Sequence, residues 1–299
     1  GEILLKTLYV SVDPYIRGRM NDVKSYIPPF EVGKPMQSGA VAEVVESKNK
    51  SYSVGAHLTG MMEWKKYQVS NGVGLFPVSA DLAPLSSYLG VLGVTGLTAY
   101  FGLLEIGKPK EGETLVVSGA AGAVGITVSE IGRIKGCKVV GIAGSDEKIK
   151  QLKDKFKLDE AINYKKTENM AKAIKEVCPN GVDIYFDNVG GVVSDGVMLN
   201  ANNFCRVPVC GAISQYNDKF LTVGPRINPI IIGKRVRLQG FIVFDYASKY
   251  LEAQMKLAEW IKAGKISIKE TIIEGFENIP EAFLGLFDGK NIGKMIVKI

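Results

Sequence analysis

Thr114-Leu-Val-Val-Ser-Gly-Ala-Ala-Gly-Ala-Val-Gly-Ile-Thr-Val128 is the stretch that decides the fold. Five strand-forming residues run into the spacing Gly119-x-x-Gly122-x-x-Gly125, and an apolar helical pattern follows. This order is typical of a dinucleotide-binding βα unit, because glycines let the chain turn sharply and let the backbone approach a pyrophosphate. Free N–H groups at the helix start would attract that anion. A glycine-rich turn alone is also common in purely structural βα units.

The chain downstream of this turn alternates short apolar runs with helical patterns, which is the spacing expected of βαβ units. The candidate strands span residues 114–118, 138–143, 161–163, 183–186, 204–209 and 236–243. Helical patterns separate them, for example at 146–156 and 168–178. The strand Leu115-Val-Val117 is continuously apolar, as expected of a strand buried on both faces. The sequence therefore predicts an α/β fold with a doubly wound parallel sheet.

The two ends of the chain follow a different pattern. Short strands at 3–10, 39–46 and 75–78 are broken by Pro and Gly, which indicates an antiparallel β-barrel or sandwich. Near the other end come helical patterns at 248–263 and 279–287 and a strand at 294–299 that needs a sheet to join. We predict one β-rich domain from residues 1–93 and 244–299, with a nucleotide-binding domain, 94–243, inserted between them. Because the chain starts at Gly1 rather than Met, we expect the start of the first domain to be missing.

Composition and charge narrow the classes of partner. The 299 residues are 46% hydrophobic and 23% charged, which is an ordinary globular composition with room for two domains. No apolar run reaches the ~18–20 residues of a membrane-spanning helix, and no signal peptide is visible. The net charge of +6 comes from scattered Lys and Arg residues without a basic stripe, and the four cysteines form no CxxC pair. We therefore expect a cytoplasmic protein with a small-molecule substrate, and neither nucleic acid nor membrane as a partner.

The end of the second candidate strand predicts which dinucleotide is preferred. Domains that bind NAD usually place Asp or Glu about 20 residues after the glycine turn, to bind the ribose 2′-hydroxyl. Gly144 and Ser145 occupy that place here, and Lys148 follows closely. Asp146 and Glu147 fall in the first turn of the next helix, where they can complement its dipole. The missing carboxylate favours NADP over NAD, although Lys148 read alone would be a helix-surface lysine.

Metal ligands are scarce in the β-rich part of the sequence. The chain has one histidine, His57, and its first cysteine is Cys137. Zinc sites in dehydrogenases of this general build use Cys, His and Glu ligands. We therefore expect no metal in this protein and interpret His57 as a strand or surface histidine.

Several further stretches make the resemblance to a known family specific. They are Ser11-Val-Asp-Pro-Tyr-Ile-Arg-Gly-Arg-Met20, Gly96-Leu-Thr-Ala-Tyr-Phe-Gly102, Ala121-Gly-Ala-Val-Gly125, Gly144-Ser-Asp-Glu-Lys148, Phe186-Asp-Asn-Val-Gly-Gly191, Cys210-Gly-Ala-Ile-Ser-Gln-Tyr-Asn217, Arg237-Leu-Gln-Gly-Phe-Ile-Val243 and Gly289-Lys-Asn-Ile-Gly-Lys294. In this order they resemble the zinc-independent medium-chain dehydrogenases/reductases, within them the prostaglandin reductase, alkenal/one double-bond reductase and curcumin reductase family. The resemblance implies a Rossmann sheet inserted in a GroES-like catalytic domain. It also implies metal-free, NADPH-dependent reduction of the C=C bond of α,β-unsaturated ketones and aldehydes, by hydride transfer to the β-carbon.

The resemblance also implies where NADPH and substrate bind. Beside Gly144 and Ser145, the implied cofactor-binding residues are Gly122, Ala123, Val124 and Gly125 at the pyrophosphate, Lys148 and Tyr164 at the 2′-phosphate, and Asn188, Cys210, Gly211, Ala212, Ile213, Ser214, Tyr216, Phe241, Ile242 and Val243 toward the ribose and nicotinamide. Asn291, near the C-terminus, is a further implied cofactor contact. Tyr15 would contact the substrate. Four of these residues have a structural alternative: Tyr164 as a strand-end aromatic, Asn188 and Asn291 as turn residues, and Tyr15 as part of the β-rich core.

One position departs from part of the family. Plant double-bond reductases and one subtype of mammalian prostaglandin reductase carry a tyrosine after an I-I or V-I pair, whereas Gly233 follows Ile231-Ile232 here. A proton donor at that place is therefore excluded in this chain. Tyr246, just past the sixth candidate strand, resembles the other subtype and the bacterial curcumin reductases, and is our candidate catalytic residue. The cofactor ribose hydroxyl and bound water remain alternative proton donors.

Two other functions stay open at this point. A quinone reductase of the same superfamily would use the same cofactor site, and a protein that senses NADPH or binds RNA through its Rossmann domain would use it without turnover. We also expect a homodimer, with residues 241–244 at a sheet edge as the seam.

Overall fold

The computed structural model describes residues 1–220 and 222–299, which form two compact units. The first unit comprises Gly1–Gly93 and Lys269–Ile299, and the second comprises Val94–Ile268. Among the described residues, no helix is both long enough and apolar enough to cross a membrane. All four cysteines are free thiols.

The first unit is built around a seven-stranded sheet. Its elements, numbered in chain order over both units, are β1 (Ile3–Ser11), α1 (Ile16–Arg19), β2 (Gln37–Ser47), β3 (His57–Glu63), β4 (Tyr67–Ser70), β5 (Phe76–Val78), β12 (Glu270–Glu274), α9 (Ile279–Asp288) and β13 (Lys294–Lys298). The strand order is β12-β13-β1-β2-β3-β5, and β4 pairs with β1. All pairings are antiparallel except β12 with β13. Because β13 lies beside β1, both ends of the chain share one sheet.

Alternating side chains give the first unit its core. In β1, Ile3 and Leu5 point inward and are fully buried, as the period of two residues in a strand requires. They pack in one apolar cluster with Val44 of β2, Leu58 of β3 and Phe283 of α9. The helix α9 therefore covers a sheet to which both chain ends contribute.

The second unit is a six-stranded parallel sheet with helices between its strands. Its elements are α2 (Val94–Phe101), which a π-helical turn (Gly102–Gly107) extends, β6 (Thr114–Ser118), α3 (Ala123–Ile134), β7 (Lys138–Ala143), α4 (Asp146–Asp154), β8 (Glu160–Asn163), α5 (Met170–Val177), β9 (Val182–Phe186), α6 (Gly191–Met198), β10 (Ala201–Val209), α7 (Asn228–Lys234), β11 (Arg237–Gly240) and α8 (Tyr250–Lys262). The strand order β11-β10-β9-β6-β7-β8 is that of the Rossmann fold, which confirms the predicted doubly wound sheet. The order reverses between β6 and β9, and ligands of such sheets bind at the carboxyl ends of the strands there.

The sixth strand of this sheet is shorter than predicted. The sequence suggested a strand over 236–243, whereas β11 ends at Gly240. Gly240 pairs with Val209, the last residue of β10, so the chain beyond Gly240 has no neighbouring strand to continue along. Phe241 instead packs its ring edge-on against Phe186, with centroids 6.4 Å apart. The predicted dimer seam at 241–244 therefore lies outside the strand, and the outer edge of the described sheet is Arg237–Gly240.

The division of the chain also differs from the boundary predicted after residue 243. Residues 244–268 belong to the second unit, because α8 packs on α2. Trp260 of α8 lies 6.1 Å from Tyr100 of α2 between ring centroids. Beyond α8, the hydroxyl of Ser267 donates a 2.7 Å hydrogen bond to Glu130 of α3. The chain returns to the first unit only after Ile268.

Candidate functional site

The glycine turn after β6 has the geometry of an anion-binding helix start. Gly119 has a φ of +60°, which favours glycine, and Gly122 is the extended residue that caps α3. A Cβ on Gly125 would lie 2.3 Å from the carbonyl oxygen of Gly119, so only glycine fits there. The N–H of Ile126 donates to the Gly122 carbonyl at 3.0 Å as the first helical bond of α3. The N–H groups of residues 123–125 precede it and have no helical acceptor.

A positively charged group of side chains lies at the carboxyl end of β7. Ser145 caps α4, and its Oγ accepts a 3.2 Å hydrogen bond from the backbone N–H of Lys148. The ring of Tyr164 covers Gly144, where a Cβ would lie 2.9 Å from Cε1 of the tyrosine. The Lys148 ammonium has no hydrogen-bond acceptor or ion-pair partner within residues 1–220 and 222–299, and burial together with the charge of Lys165 lowers its pKa. This group can bind a doubly charged phosphate.

The acidic residue beside this group is already paired. Asp146 accepts a 2.7 Å hydrogen bond from the amide of Asn163 and forms an ion pair with Lys166. These hydrogen bonds hold the pKa of Asp146 below its usual range. Asp146 is therefore a neutralised carboxylate at the start of α4, and it does not oppose an anion at Lys148.

Asn188 links the end of β9 to the end of β6. Its backbone N–H donates to the hydroxyl of Ser118 at 2.9 Å, and its side-chain amide donates to the Ser118 carbonyl at 2.8 Å. A Cβ on Gly119 would lie 3.5 Å from the Cβ of Asn188, so the glycine turn and Asn188 are neighbours. The structure brings these two predicted site segments together at the reversal of strand order.

Asp187 organises the crevice at the carboxyl ends of β6 and β9. It was not among the site residues predicted from the sequence. Its Oδ1 accepts hydrogen bonds from the hydroxyls of Tyr185 (2.8 Å) and Ser118 (3.0 Å) and from the backbone N–H groups of Val189 (3.0 Å) and Gly190 (2.9 Å). Burial raises the pKa of Tyr185 well above its ordinary value, so the phenol stays a donor. A carboxylate directly after a buried strand, beside Asn188, is the sequence signal that could have identified it.

The segment Cys210–Tyr216 lies against the same crevice. The N–H groups of Cys210 and Gly211 both donate to the carbonyl of Asp187, at 2.8 and 3.1 Å. The hydroxyl of Tyr216 accepts from the N–H of Ala212 at 3.2 Å, and burial raises its pKa. The hydroxyl of Ser214 donates to the carbonyl of residue 189 at 2.6 Å. These bonds fix the segment at the carboxyl edge of the sheet.

The predicted residues after β11 take different positions. The ring of Phe241 lies over Gly102, where a Cβ would be 2.5 Å from the phenylalanine Cζ. Tyr246 lies beyond the end of β11 in a 3₁₀ turn, Val243–Lys249, and its ring stacks on Phe101. The Tyr246 hydroxyl has no hydrogen-bond partner in the described part of the chain. Tyr246 therefore combines a packing role with a free donor.

Two predicted site residues belong to the first unit. Tyr15 immediately precedes α1 and packs half-buried against the apolar core, where burial and the charge of Asp13 raise its pKa. The side-chain amide of Asn291 donates to the carbonyl of Gly293 at 2.8 Å, which holds the turn before β13.

Metal-binding side chains do not converge in residues 1–220 or 222–299. No three His, Cys, Asp or Glu side chains there are placed to hold a metal ion. His57 lies in β3, opposite Val78 of β5.

Comparisons with known proteins agree with this architecture. A family model of the N-terminal domain of oxidoreductases matches residues 1–78, and a model described as zinc-binding dehydrogenase matches residues 123–260. A protein of Bacillus subtilis (strain 168) that carries the name NADP-dependent oxidoreductase YfmJ is 56% identical over 301 residues, which cover 100% of this chain and 88% of the relative. The NADPH-dependent curcumin reductase of Escherichia coli (strain K12) is 44% identical over 304 residues, with coverage of 100% and 88%. The crystal structure of CurA from Vibrio vulnificus in complex with NADPH has a TM-score of 0.95 at 45% identity, covering 100% of this chain and 90% of that one.

Proposed function

Since this chain belongs to the zinc-independent medium-chain dehydrogenases/reductases, a family of NADP-dependent oxidoreductases, we propose that it reduces the C=C bond of α,β-unsaturated ketones and aldehydes with NADPH. The observation that carries the cofactor assignment is the ammonium of Lys148, which has no partner among the described residues and lies beside Ser145 and Tyr164. A half-buried cation of this kind favours an anion, and the 2′-phosphate distinguishes NADPH from NADH. NADPH-bound CurA and the NADPH-dependent curcumin reductase support the same cofactor.

The chain supplies binding groups along the whole length of this cofactor. The N–H groups of residues 123–125 would bind the pyrophosphate at the start of α3, where the helix dipole favours an anion. Asn188 and the segment Cys210–Tyr216, with residues 241–243, would contact the ribose and nicotinamide. Asn291 would be a further cofactor contact. When bound, NADPH supplies the hydride, which we expect to add to the β-carbon of the substrate.

Hydroxyl groups of this chain would stabilise the enolate and supply the proton that completes the reaction after hydride transfer. Hydride addition to the β-carbon leaves negative charge on the carbonyl oxygen, and a hydrogen-bond donor stabilises that enolate. The Tyr246 hydroxyl is a donor without a partner in the described residues, and we assign it to the enolate oxygen or to the proton that reaches the α-carbon. Tyr15 would contact the substrate. No step requires a metal, because hydroxyl and amide donors can meet the enolate charge.

We also propose a homodimer that forms through the outer edge of β11. Arg237–Gly240 pairs with β10 on one side only, and an edge strand with unpaired backbone groups is a template for a second copy. The cytoplasmic location is a prediction that the free cysteines support.

A single substrate panel tests the proposed function. We expect NADPH oxidation with an alkyl enone and a 2-alkenal, with the saturated carbonyl as the product, and slower oxidation with a quinone of similar size. Faster turnover of the quinone would instead make the protein a quinone reductase. NADPH binding without turnover of any panel member would support a protein that senses NADPH. Tight RNA binding would support the RNA-binding alternative.

A further inference from the structure

Arg19 is a buried cation without a counter-ion among the described residues. Its side chain is only 8% exposed, at the end of the short helix α1. The Nε donates to the carbonyl of Pro28 at 2.9 Å, and the guanidinium lies 3.9 Å from the ring centre of Phe30. The Nη1 is sealed from solvent and has no hydrogen-bond partner among the residues that the structure describes. An unsatisfied donor on a buried charge is costly, so this atom points to a missing acceptor.

Asp13, on the same stretch of chain, does not supply that acceptor. Asp13 is held by Lys294, whose ammonium lies 3.0 Å from Oδ1, and it accepts a hydrogen bond from the hydroxyl of Ser11. Lys294 is itself almost fully buried and also donates to the carbonyl of Val12 at 2.7 Å. Asp13 is therefore engaged with other groups, and no described carboxylate forms an ion pair with Arg19.

Tyr15 stands on the same face of the chain as Arg19. Its backbone is helical, with φ −60° and ψ −24°, so residues four apart, Tyr15 and Arg19, lie one above the other. The Tyr15 hydroxyl has no partner within the described ranges, and its raised pKa keeps it protonated. Arg19 thus presents charged donors only, and the Tyr15 hydroxyl adds a neutral donor that can also accept.

We propose that Arg19 and Tyr15 form a binding site for a carboxylate on the substrate, separate from the enone that is reduced. A carboxylate accepts several hydrogen bonds and would neutralise the guanidinium, whereas a neutral carbonyl would satisfy only the hydrogen bond. The segment from Met20 to Pro29, whose side chains are mostly exposed, follows Arg19 directly. Arg19 holds the far end of this segment, because its Nε donates to the Pro28 carbonyl and its own carbonyl accepts the N–H of Phe30 at 2.7 Å. The inference rests on the proposed function for its substrate class.

The test compares three substrates that share one methyl enone: one whose alkyl chain ends in a carboxylate, its methyl ester, and the plain alkyl enone. We expect the wild-type protein to have a KM for the acid about tenfold or more below that for the ester, the scale of a charge-assisted hydrogen bond. Arg19→Met should remove this difference, and Arg19→Lys should keep part of it. Arg17→Met is the matched control, because Arg17 bonds Asn21 at the surface and its loss removes the same charge two residues away.

Calorimetry with the saturated keto acid, its ester and acetate gives a readout that is independent of turnover. Binding of the keto acid alone, lost in Arg19→Met, supports the site, whereas equal binding of acetate makes it a general anion site and overturns the proposal. Equal KM values for acid and ester, with a lower melting temperature for Arg19→Met, would mean that Arg19 only stabilises the segment 20–30. That result would also overturn the proposal. If none of the three enones consumes NADPH, the proposed function fails instead, and the calorimetric arm still decides the carboxylate site.

Discussion

The ring of Tyr246 lies face to face with the ring of Phe101, with centroids 4.7 Å apart and planes inclined by 9°. Phe101 is fully buried at the end of α2, so the tyrosine ring is fixed by packing while its hydroxyl stays free of described partners. Tyr250 also lies beside Phe101, at 6.2 Å between centroids, and burial together with the charge of Asp245 raises its pKa to about 12. Two phenols therefore flank one buried ring.

Replacing Tyr246 with Phe separates the hydroxyl from the ring. We expect Tyr246→Phe to keep the melting temperature and to lower kcat for an enone by about tenfold, less than the ~10²–10³-fold of an irreplaceable donor, because water or the ribose can partly substitute. Steady-state kinetics with NADPH measure this. Tyr250→Phe is the matched control and should change kcat little. Activity of Tyr246→Phe within about twofold of wild type would leave Tyr246 a packing residue.

The close approach at Gly125 predicts a selective loss of cofactor binding. In Gly125→Ala the new Cβ would meet the Gly119 carbonyl and the Cα of Ala120, so the turn must distort and the N–H groups at the start of α3 shift. We expect a rise of tenfold or more in the Kd for NADPH, measured by fluorescence titration. Gly233→Ala is the control: a Cβ there meets nothing within 4 Å, and alanine in a helix stabilises by about 0.4–1 kcal/mol. Unchanged NADPH affinity in Gly125→Ala would contradict the pyrophosphate assignment.

The parallel sheet was predictable from the sequence, because strands buried on both faces leave continuous apolar runs and each crossover leaves a helical pattern. The glycine turn was also predictable from the sequence, since the backbone conformation itself requires glycine at Gly119 and Gly125. The end of β11 was not predictable, because it depends on where the neighbouring strand stops, at Val209. The role of Asp187 was not predicted, because it comes from four hydrogen-bond donors that only the fold brings together.

Metal independence is a prediction that the sequence made and that a chelator can test. We expect enone reduction to survive incubation with EDTA followed by desalting, and elemental analysis to find far less than one zinc per chain. The physical reason is that the proposed enolate stabilisation uses hydroxyl and amide donors, which need no Lewis acid. Tightly bound zinc whose removal abolishes turnover would contradict this prediction.

Lys148 predicts the choice between NADPH and NADH. Lys148→Ala should weaken the binding of NADPH by roughly 1.5–3 kcal/mol, the range for a charge-assisted hydrogen bond, and leave the binding of NADH nearly unchanged. KM values for both cofactors measure the change. Lys150→Ala, on the same helix, is the control, because Lys150 is exposed and pairs with Asp154. A wild-type protein that used NADH as well as NADPH would overturn the assignment.

Glu130 predicts how stability depends on pH. It is 6% exposed on α3, and burial raises its pKa from 4.5 to about 7, although its carboxylate accepts hydrogen bonds from the hydroxyl and N–H of Ser267. Because the folded state holds this proton more tightly than the unfolded state, the contribution of Glu130 to stability is most favourable while both states are protonated, below about pH 4.5. This contribution falls as pH rises toward 7 and is level above that, by on the order of 3 kcal/mol in total.

Glu130→Gln removes the titration and keeps an oxygen that can accept from Ser267. We expect the difference in unfolding free energy between Glu130→Gln and wild type to shift in favour of the variant from pH 5 to pH 8, as measured by urea denaturation across that range. Taking the difference cancels the other titrating groups. Glu147→Gln, which removes an exposed carboxylate at the start of α4, is the control for the loss of one surface charge. A difference for Glu130→Gln that does not change with pH would mean that Glu130 ionises as easily in the folded protein as in water, and that its bonds to Ser267 offset the whole cost of burial.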